Sequence, residues 1–261
     1  MNGPHARGAA VADAVLQALI FDVDGTLADT ERDGHRPAFN AAFREAGLDW
    51  VWDGALYGEL LAVTGGKERI AHYVARHQPD FARLADYAKR VASLHRAKTR
   101  HYTHLAATGA IPLRPGVARL LDVARATGLR LAIATTTTPE NVSALLVPAL
   151  GPDALSWFEA VGAGDVVPAK KPAPDIYLWV LEQLGLPAAA CLAFEDSENG
   201  LRAAQGAGLA TIVTPCDYTR GQDFAGAAAV LDSLEDIAFP DLEMWLSGTA
   251  SAVPQGFPSV I

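Results

Sequence analysis

Cysteine is nearly absent: two thiols, Cys191 and Cys216, occur in 261 residues. Two isolated cysteines make neither a disulfide framework nor a metal-ligand spacing, and they fit a reducing, cytoplasmic setting. Cys191 opens an apolar, strand-like run and reads as core. Long apolar runs are also missing, so no membrane span is expected. The first sixteen residues lack a basic stretch followed by a clean apolar one. No secretory signal is read there, and residues 1–16 are expected to be a loose leader. Basic residues are in deficit, 21 Lys and Arg against 30 Asp and Glu, for a formal net charge of −9. That balance argues against a nucleic-acid partner. Half the residues are apolar, enough for a sizeable core in one large or two modest domains.

What is present is a set of short apolar runs that end in polar residues. Ala18-Leu19-Ile20-Phe21 reads as a buried strand running into Asp22-Val23-Asp24-Gly25-Thr26. Further strands are expected over residues 129–135, 191–196 and 210–213, and helices over 117–127, 139–150, 174–184 and 197–207. This alternation implies a parallel sheet covered by helices. Residues 30–108 differ, with helical periodicity and no convincing strand, and read as an all-helical insert between the first strand and the rest of the sheet. The expected division is a discontinuous sheet domain at 17–29 and 109–236, a helical domain at 30–108, and a flexible tail at 237–261, rich in Ser, Pro and Gly from Ser247 onward. The insert holds 12 Lys and Arg against 9 Asp and Glu, while the remainder is strongly acidic. An acidic core suits a cation and a basic insert suits an anion, although helices also carry surface charge for solubility alone.

Four segments carry chemistry. Two carboxylates at the end of a buried strand, Asp22 and Asp24, are costly unless something positive sits between them; the plain alternative is an Asp-Gly turn. Thr135 stands at a second strand end, followed by Thr136, Thr137 and Thr138-Pro139. Its hydroxyl can hold an anion, or the run can be β-propensity ending in a helix cap. Lys171, fixed by Pro172, can neutralise a phosphate beside paired carboxylates; alone it would be a surface lysine. Glu195-Asp196 ends another strand, with Ser197 placed to cap the next helix. Strand-end acids at two separate places point to a hard cation with oxygen ligands, and Mg2+ fits best.

The order Asp22-x-Asp24-Gly-Thr, Thr135, Lys171-Pro, Glu195-Asp196 resembles the haloacid dehalogenase superfamily of phosphotransferases. The resemblance implies an α/β, doubly wound parallel-sheet core with an inserted helical cap closing over the site. By the same resemblance, Asp22 attacks phosphorus and Asp24 serves as acid and base. Asp22, the Asp24 carbonyl and Asp196 hold Mg2+, with Glu195 a ligand or just behind one, and Thr135 and Lys171 bind the phosphoryl group. Within the insert, Thr64-Gly65-Gly66-Lys67-Glu68-Arg69, His95-Arg96-Ala97-Lys98, Glu31 followed by His35, the Thr135-Thr136-Thr137 run and Lys170-Lys171-Pro172 resemble CbbY-type proteins. That family dephosphorylates C1 of xylulose-1,5-bisphosphate, an inhibitor of Rubisco in carbon fixation. The substrate-binding set implied is Glu31, Thr64, Gly65, Gly66, Lys67, Arg69, His95, Lys98, Thr136 and Thr137. Gly65-Gly66 can bring backbone N–H groups to an anion, and Lys67, Arg69, His95 and Lys98 can grip a far phosphate or simply face solvent. The spacing from Glu31 to His35 is one residue longer than the family pattern, with Gly34 as the extra residue.

The expected partner is a small phosphorylated sugar, with no nucleic acid or membrane, acting on a monomer. A β-phosphoglucomutase-like mutase shares the core motifs, so only the insert separates it from a phosphatase. A binding protein on this scaffold would lack a catalytic group, and a dehalogenase has no use for Asp24. Trp50, Trp52, Trp157 and Trp179 are read as packing, and His72, His77, His101 and His104 as helix surface.

Overall fold

A computed structural model describes residues 15–248. Six strands form one parallel sheet: β1 (Ala18–Phe21), β2 (Arg130–Ala134), β3 (Phe158–Gly162), β4 (Cys191–Glu195), β5 (Ala210–Val213) and β6 (Ala229–Val230). Their order is β3-β2-β1-β4-β5-β6. Side chains alternate along a strand, and here size alternates with them. Leu19, Phe21, Leu131, Ile133, Leu192 and Phe194 fill one face, and the smaller Ala18, Ile20, Ala132, Ala134 and Ala193 fill the other. The large face packs on α6 (Val117–Ala126), α7 (Pro139–Leu150) and α10 (Phe239–Ser247). The small face lets α8 (Asp175–Leu184) and α9 (Glu198–Gly206) approach closely, with Tyr177 and Val180 filling the gap. Phe21 and Phe194 stack with centroids 4.7 Å apart, and each such buried ring contributes about 1.5–3 kcal/mol.

The register positions the site. Phe21 pairs with Ile133 on β2 and with Phe194 on β4. The next residues along, Asp22, Ala134 and Glu195, therefore leave the sheet side by side at its carboxyl edge, where open α/β sheets bind ligands.

Between β1 and α6 lie a π-helical turn at Glu31–His35 and five helices: α1 (Arg36–Glu45), α2 (Gly54–Leu60), α3 (Gly66–His77), α4 (Pro79–Ala82) and α5 (Tyr87–Ala107). They have their own aromatic core of Phe39, Phe43, Trp50, Trp52, Tyr57, Ile70, Tyr73 and Val74. Gly34 lies within the π turn. A Cβ there would sit 2.6 Å from Ile111 and 2.7 Å from Tyr102, so any larger residue would have to displace these side chains. Arg114 ties the linker that returns from this insert to the core, donating to the carbonyls of Gly25, Thr214 (2.6 Å) and Pro215 (3.0 Å).

Three elements depart from expectation. β3 was not anticipated because the exposed Glu159 interrupts its apolar pattern, and β6 is only two residues long. The expected tail at 237–261 is corrected over Phe239–Ser247, which is helix α10 with Leu242 and Trp245 buried against the core. The rest of that tail from residue 249, and residues 1–14 of the expected leader, lie outside the described residues; Leu16, within the leader's bounds, is buried. Among the described residues no helix is long and apolar enough to cross a membrane.

Candidate active site

Lys171 is the hub of the sheet edge. Its ammonium donates to Asp22 Oδ1 at 2.7 Å, Glu195 Oε1 at 2.6 Å and the Ala134 carbonyl at 2.8 Å. Those three acceptors use all three donors an ammonium has. Burial works to lower the Lys171 pKa, but the two carboxylates hold it well above the usual lysine range. Tyr177 on α8 donates its hydroxyl to the same oxygen, Glu195 Oε1.

One oxygen from each of Asp22, Glu195 and Asp196 lies within 4.8 Å of the others, and all three residues are buried. Burial, reinforced by Glu195 and Asp24, pushes the Asp22 carboxyl up to about 7 despite Lys171. Burial with Asp22 and Glu195 raises Asp196 well above the carboxylate range. Glu195 Oε2 is buried with no hydrogen-bond partner. Crowded hard oxygen donors, an orphaned carboxylate oxygen and raised carboxyl pKa values fit a divalent cation. Two glycines make room for these acids. A Cβ on Gly25 would fall 2.1 Å from Asp196 Oδ2, and one on Gly200 would fall 1.9 Å from Glu195 Oε2.

Asp24, two residues beyond Asp22, lies in an opposite environment. Burial works to raise its carboxyl, but His35 (2.8 Å), the Thr30 hydroxyl (2.6 Å) and the Lys98 charge behind them hold it well below the usual range. Lys98 in turn donates to His35 Nδ1 at 2.7 Å. Neighbouring carboxyls pushed in opposite directions are the arrangement that separates two chemical roles.

Thr135 is buried; its N–H donates to the Gly162 carbonyl at 2.9 Å and its hydroxyl accepts from the Thr137 N–H at 3.3 Å. Thr137 accepts from Asn141 at 2.9 Å, and Thr136 lines the cleft above. Ser197 caps α9 by accepting from the Gly200 N–H, whereas Thr138 makes no cap bond to α7.

The cleft is open to solvent and is lined at its floor by Asp22, Asp24, Lys171, Glu195 and Asp196. Its roof includes Glu31, Thr64 and Arg69. Asn199 on α9 donates to Thr64 Oγ1 at 3.3 Å and so joins floor to roof. Gly65 (φ 96°) and Gly66 turn the chain into α3, beneath His95, whose ring leaves no room for a Cβ on Gly66. Three other residues of the expected substrate-binding set do not line the cleft. Lys67 is half exposed and pairs with Asp165 at 2.9 Å. Burial, with Lys98 and Lys67 nearby, lowers His95 to about 4, and His95 does not line the cleft. Lys98 is buried behind His35, and burial brings it down to about 8. Tyr57 escaped the sequence reading. It is fully buried, donates its hydroxyl to Glu31 and accepts from Arg69 Nη1 at 3.0 Å. A tyrosine within an apolar helix carries no sequence signal of such a role. His35 had one, its place shortly after Glu31.

Residues 16–208 match the family of haloacid dehalogenase-like hydrolases. The chain belongs to that family. Plasmid-encoded CbbY of Cupriavidus necator is 54% identical over 225 residues, 86% of this chain and 88% of that protein. CbbY of Rhodobacter sphaeroides, solved as a point variant with xylulose-(1,5)bisphosphate, matches at TM-score 0.80 and 50% identity, over 86% of this chain and 97% of that one. A β-phosphoglucomutase from Clostridium difficile shares the fold at TM-score 0.74 and 18% identity, over 90% of this chain and 99% of that one. Within the haloacid dehalogenase-like hydrolases, the chain is therefore of the CbbY type, and it is a phosphatase.

Proposed function

We propose that this phosphatase requires Mg2+ and removes the C1 phosphate of xylulose-1,5-bisphosphate, leaving xylulose 5-phosphate and relieving inhibition of Rubisco. The observation that carries this reading is the cluster of three buried carboxylates around Lys171, roofed by Glu31 and Arg69. The identity to CbbY proteins supports the choice of sugar.

Asp22 attacks phosphorus; the bond from phosphorus to the C1 oxygen breaks, and an aspartyl phosphate forms. Asp24 gives its proton to the departing alkoxide, then takes one from the water that attacks the aspartyl phosphate. Inorganic phosphate leaves and the Asp22 carboxylate is restored. Lys171 and Thr135 hold the transferring group, and positioning with charge compensation supplies most of the catalysis. Asp22, the Asp24 carbonyl and Asp196, with Glu195 as ligand or close behind, would hold the cation, which supplies charge that ionises Asp22 and screens the phosphate. The two aspartates thus await opposite partners. Asp22 would be ionised, and so nucleophilic, with that charge beside it, and Asp24 is raised toward its acid form as a phosphate dianion arrives. Residues 30–108 act as the cap, with the far phosphate held against its underside by Arg69 and the Gly65-Gly66 loop.

The test is phosphate release from xylulose-1,5-bisphosphate with and without Mg2+. Release that depends on Mg2+ and falls at least about 10⁴-fold in Asp22→Asn is expected. Release without the cation, or by Asp22→Asn, refutes the reading.

A further inference from the structure

Glu31 and Arg69 both line the cleft, and both are largely buried, yet they do not form a direct hydrogen-bonded pair. Arg69 Nη1 and Glu31 Oε2 stand 3.7 Å apart. A buried guanidinium and carboxylate this close ordinarily close into a two-pronged pair, which uses both carboxylate oxygens and one edge of the fork. Here the Tyr57 hydroxyl occupies the gap, donating to Glu31 Oε2 and accepting from Arg69 Nη1. Tyr57 itself does not line the cleft.

We propose that Tyr57 is a positioning residue: its hydroxyl holds Glu31 and Arg69 apart, so that both keep free valences for a phosphorylated polyol in the cleft. The proposal rests on the reading that a sugar phosphate occupies this site. The bridge engages one oxygen of Glu31 and one terminal nitrogen of Arg69. Glu31 Oε1 is thereby kept for a sugar hydroxyl, and the remaining guanidinium donors for a hydroxyl or phosphate oxygen. The bridge is fixed on every side. The Arg69 guanidinium lies 5.3 Å from the Tyr57 ring centroid, and Arg69 Nε donates to the Val63 carbonyl at 3.3 Å. Tyr218, on the core loop that also brings Thr219 and Gln222 to the cleft, packs edge-on against Tyr57 at 5.7 Å. Burial and Glu31 raise the phenol well above its ordinary pKa, so it keeps the proton it donates.

Tyr57→Phe keeps the ring and removes the bridge. It is compared with wild type on xylulose-1,5-bisphosphate and on p-nitrophenyl phosphate, which has no sugar hydroxyl for Glu31 to hold. For the bisphosphate, KM is expected to rise about tenfold with kcat within about twofold, while kcat/KM for p-nitrophenyl phosphate is unchanged. Because Tyr57 acts through Glu31 and Arg69, the KM of the double variant Tyr57→Phe/Glu31→Gln is expected to rise by clearly less than the product of the two single effects. An equal loss on both substrates would mean that Tyr57 only supports the fold. An unchanged bisphosphate KM, or full additivity in the double variant, would also overturn the proposal. Wild-type enzyme that ignores xylulose-1,5-bisphosphate refutes the substrate assignment alone. The same comparison on fructose-1,6-bisphosphate and β-glucose 1-phosphate then decides for or against Tyr57.

Discussion

The sheet edge and the underside of the helical insert face one cleft, but they manage charge in opposite ways. At the sheet edge Lys171 touches Asp22 and Glu195 directly, and the carboxylates still outnumber it. The surplus negative charge is what the proposed cation would balance. In the insert each buried cation reaches its carboxylate through an intervening ring. Arg69 reaches Glu31 through Tyr57, and Lys98 reaches Asp24 through His35. Direct contact fixes the reacting groups, whereas a ring between partners keeps the charges near each other without letting them cancel. The first arrangement fixes Asp22 for its chemistry, and the second leaves Glu31 and Asp24 able to act on what enters the cleft.

Removing a ring should therefore cost more than removing a peripheral charge. The largest effect after loss of the nucleophile is expected from His35→Ala, which takes the imidazole from between Asp24 and Lys98. The kcat for phosphate release should fall about 10²-fold, because Asp24 loses the partner that orients it. A fall as small as that of a surface substitution would break the parallel between the two bridges.

Lys98 gives a pH signature in stability. Burial lowers it to about 8 from an ordinary 10.5. Between those values the unfolded chain binds more protons than the folded one, so this group's contribution to stability rises with pH. Below about 8 its full penalty is present, and above about 10.5 the penalty is gone. The wild type should thus gain up to about 3 kcal/mol across this window relative to Lys98→Met. Urea melts of both proteins at several pH values would show curves that converge or cross; parallel curves would mean that Lys98 titrates normally.

The smallest effect is expected at Lys67, whose pair with Asp165 is about half exposed. Lys67→Ala should change stability by less than about 1 kcal/mol and the bisphosphate KM by less than about threefold. A large rise in KM would restore Lys67 to the far phosphate and blur the distinction between rim and roof.

The same contrast governs what the sequence made legible. Asp22, Thr135 and Glu195 follow apolar strand runs, and one parallel register brings strand ends together, so their meeting could be read from the chain alone. The insert resisted this reading because charged helical residues normally face solvent. Nothing in the local pattern distinguishes buried Arg69 and Lys98 from exposed Lys67. Tyr57 looked like one more apolar position, and only the fold brings it between two charges. α10 was hidden because Phe239-Pro240 and a short amphipathic stretch resemble a tail until Leu242 and Trp245 find the core.

The division between a reactive floor and a selective roof is tested most directly by kcat/KM, in the presence of Mg2+, for xylulose-1,5-bisphosphate, ribulose-1,5-bisphosphate, fructose-1,6-bisphosphate and β-glucose 1-phosphate. Glucose 6-phosphate is assayed alongside, and Asp22→Asn is the blank. Strong preference for xylulose-1,5-bisphosphate, with phosphate and no glucose 6-phosphate as product, is the predicted result. Equal activity on all four sugars, or formation of glucose 6-phosphate, would contradict it.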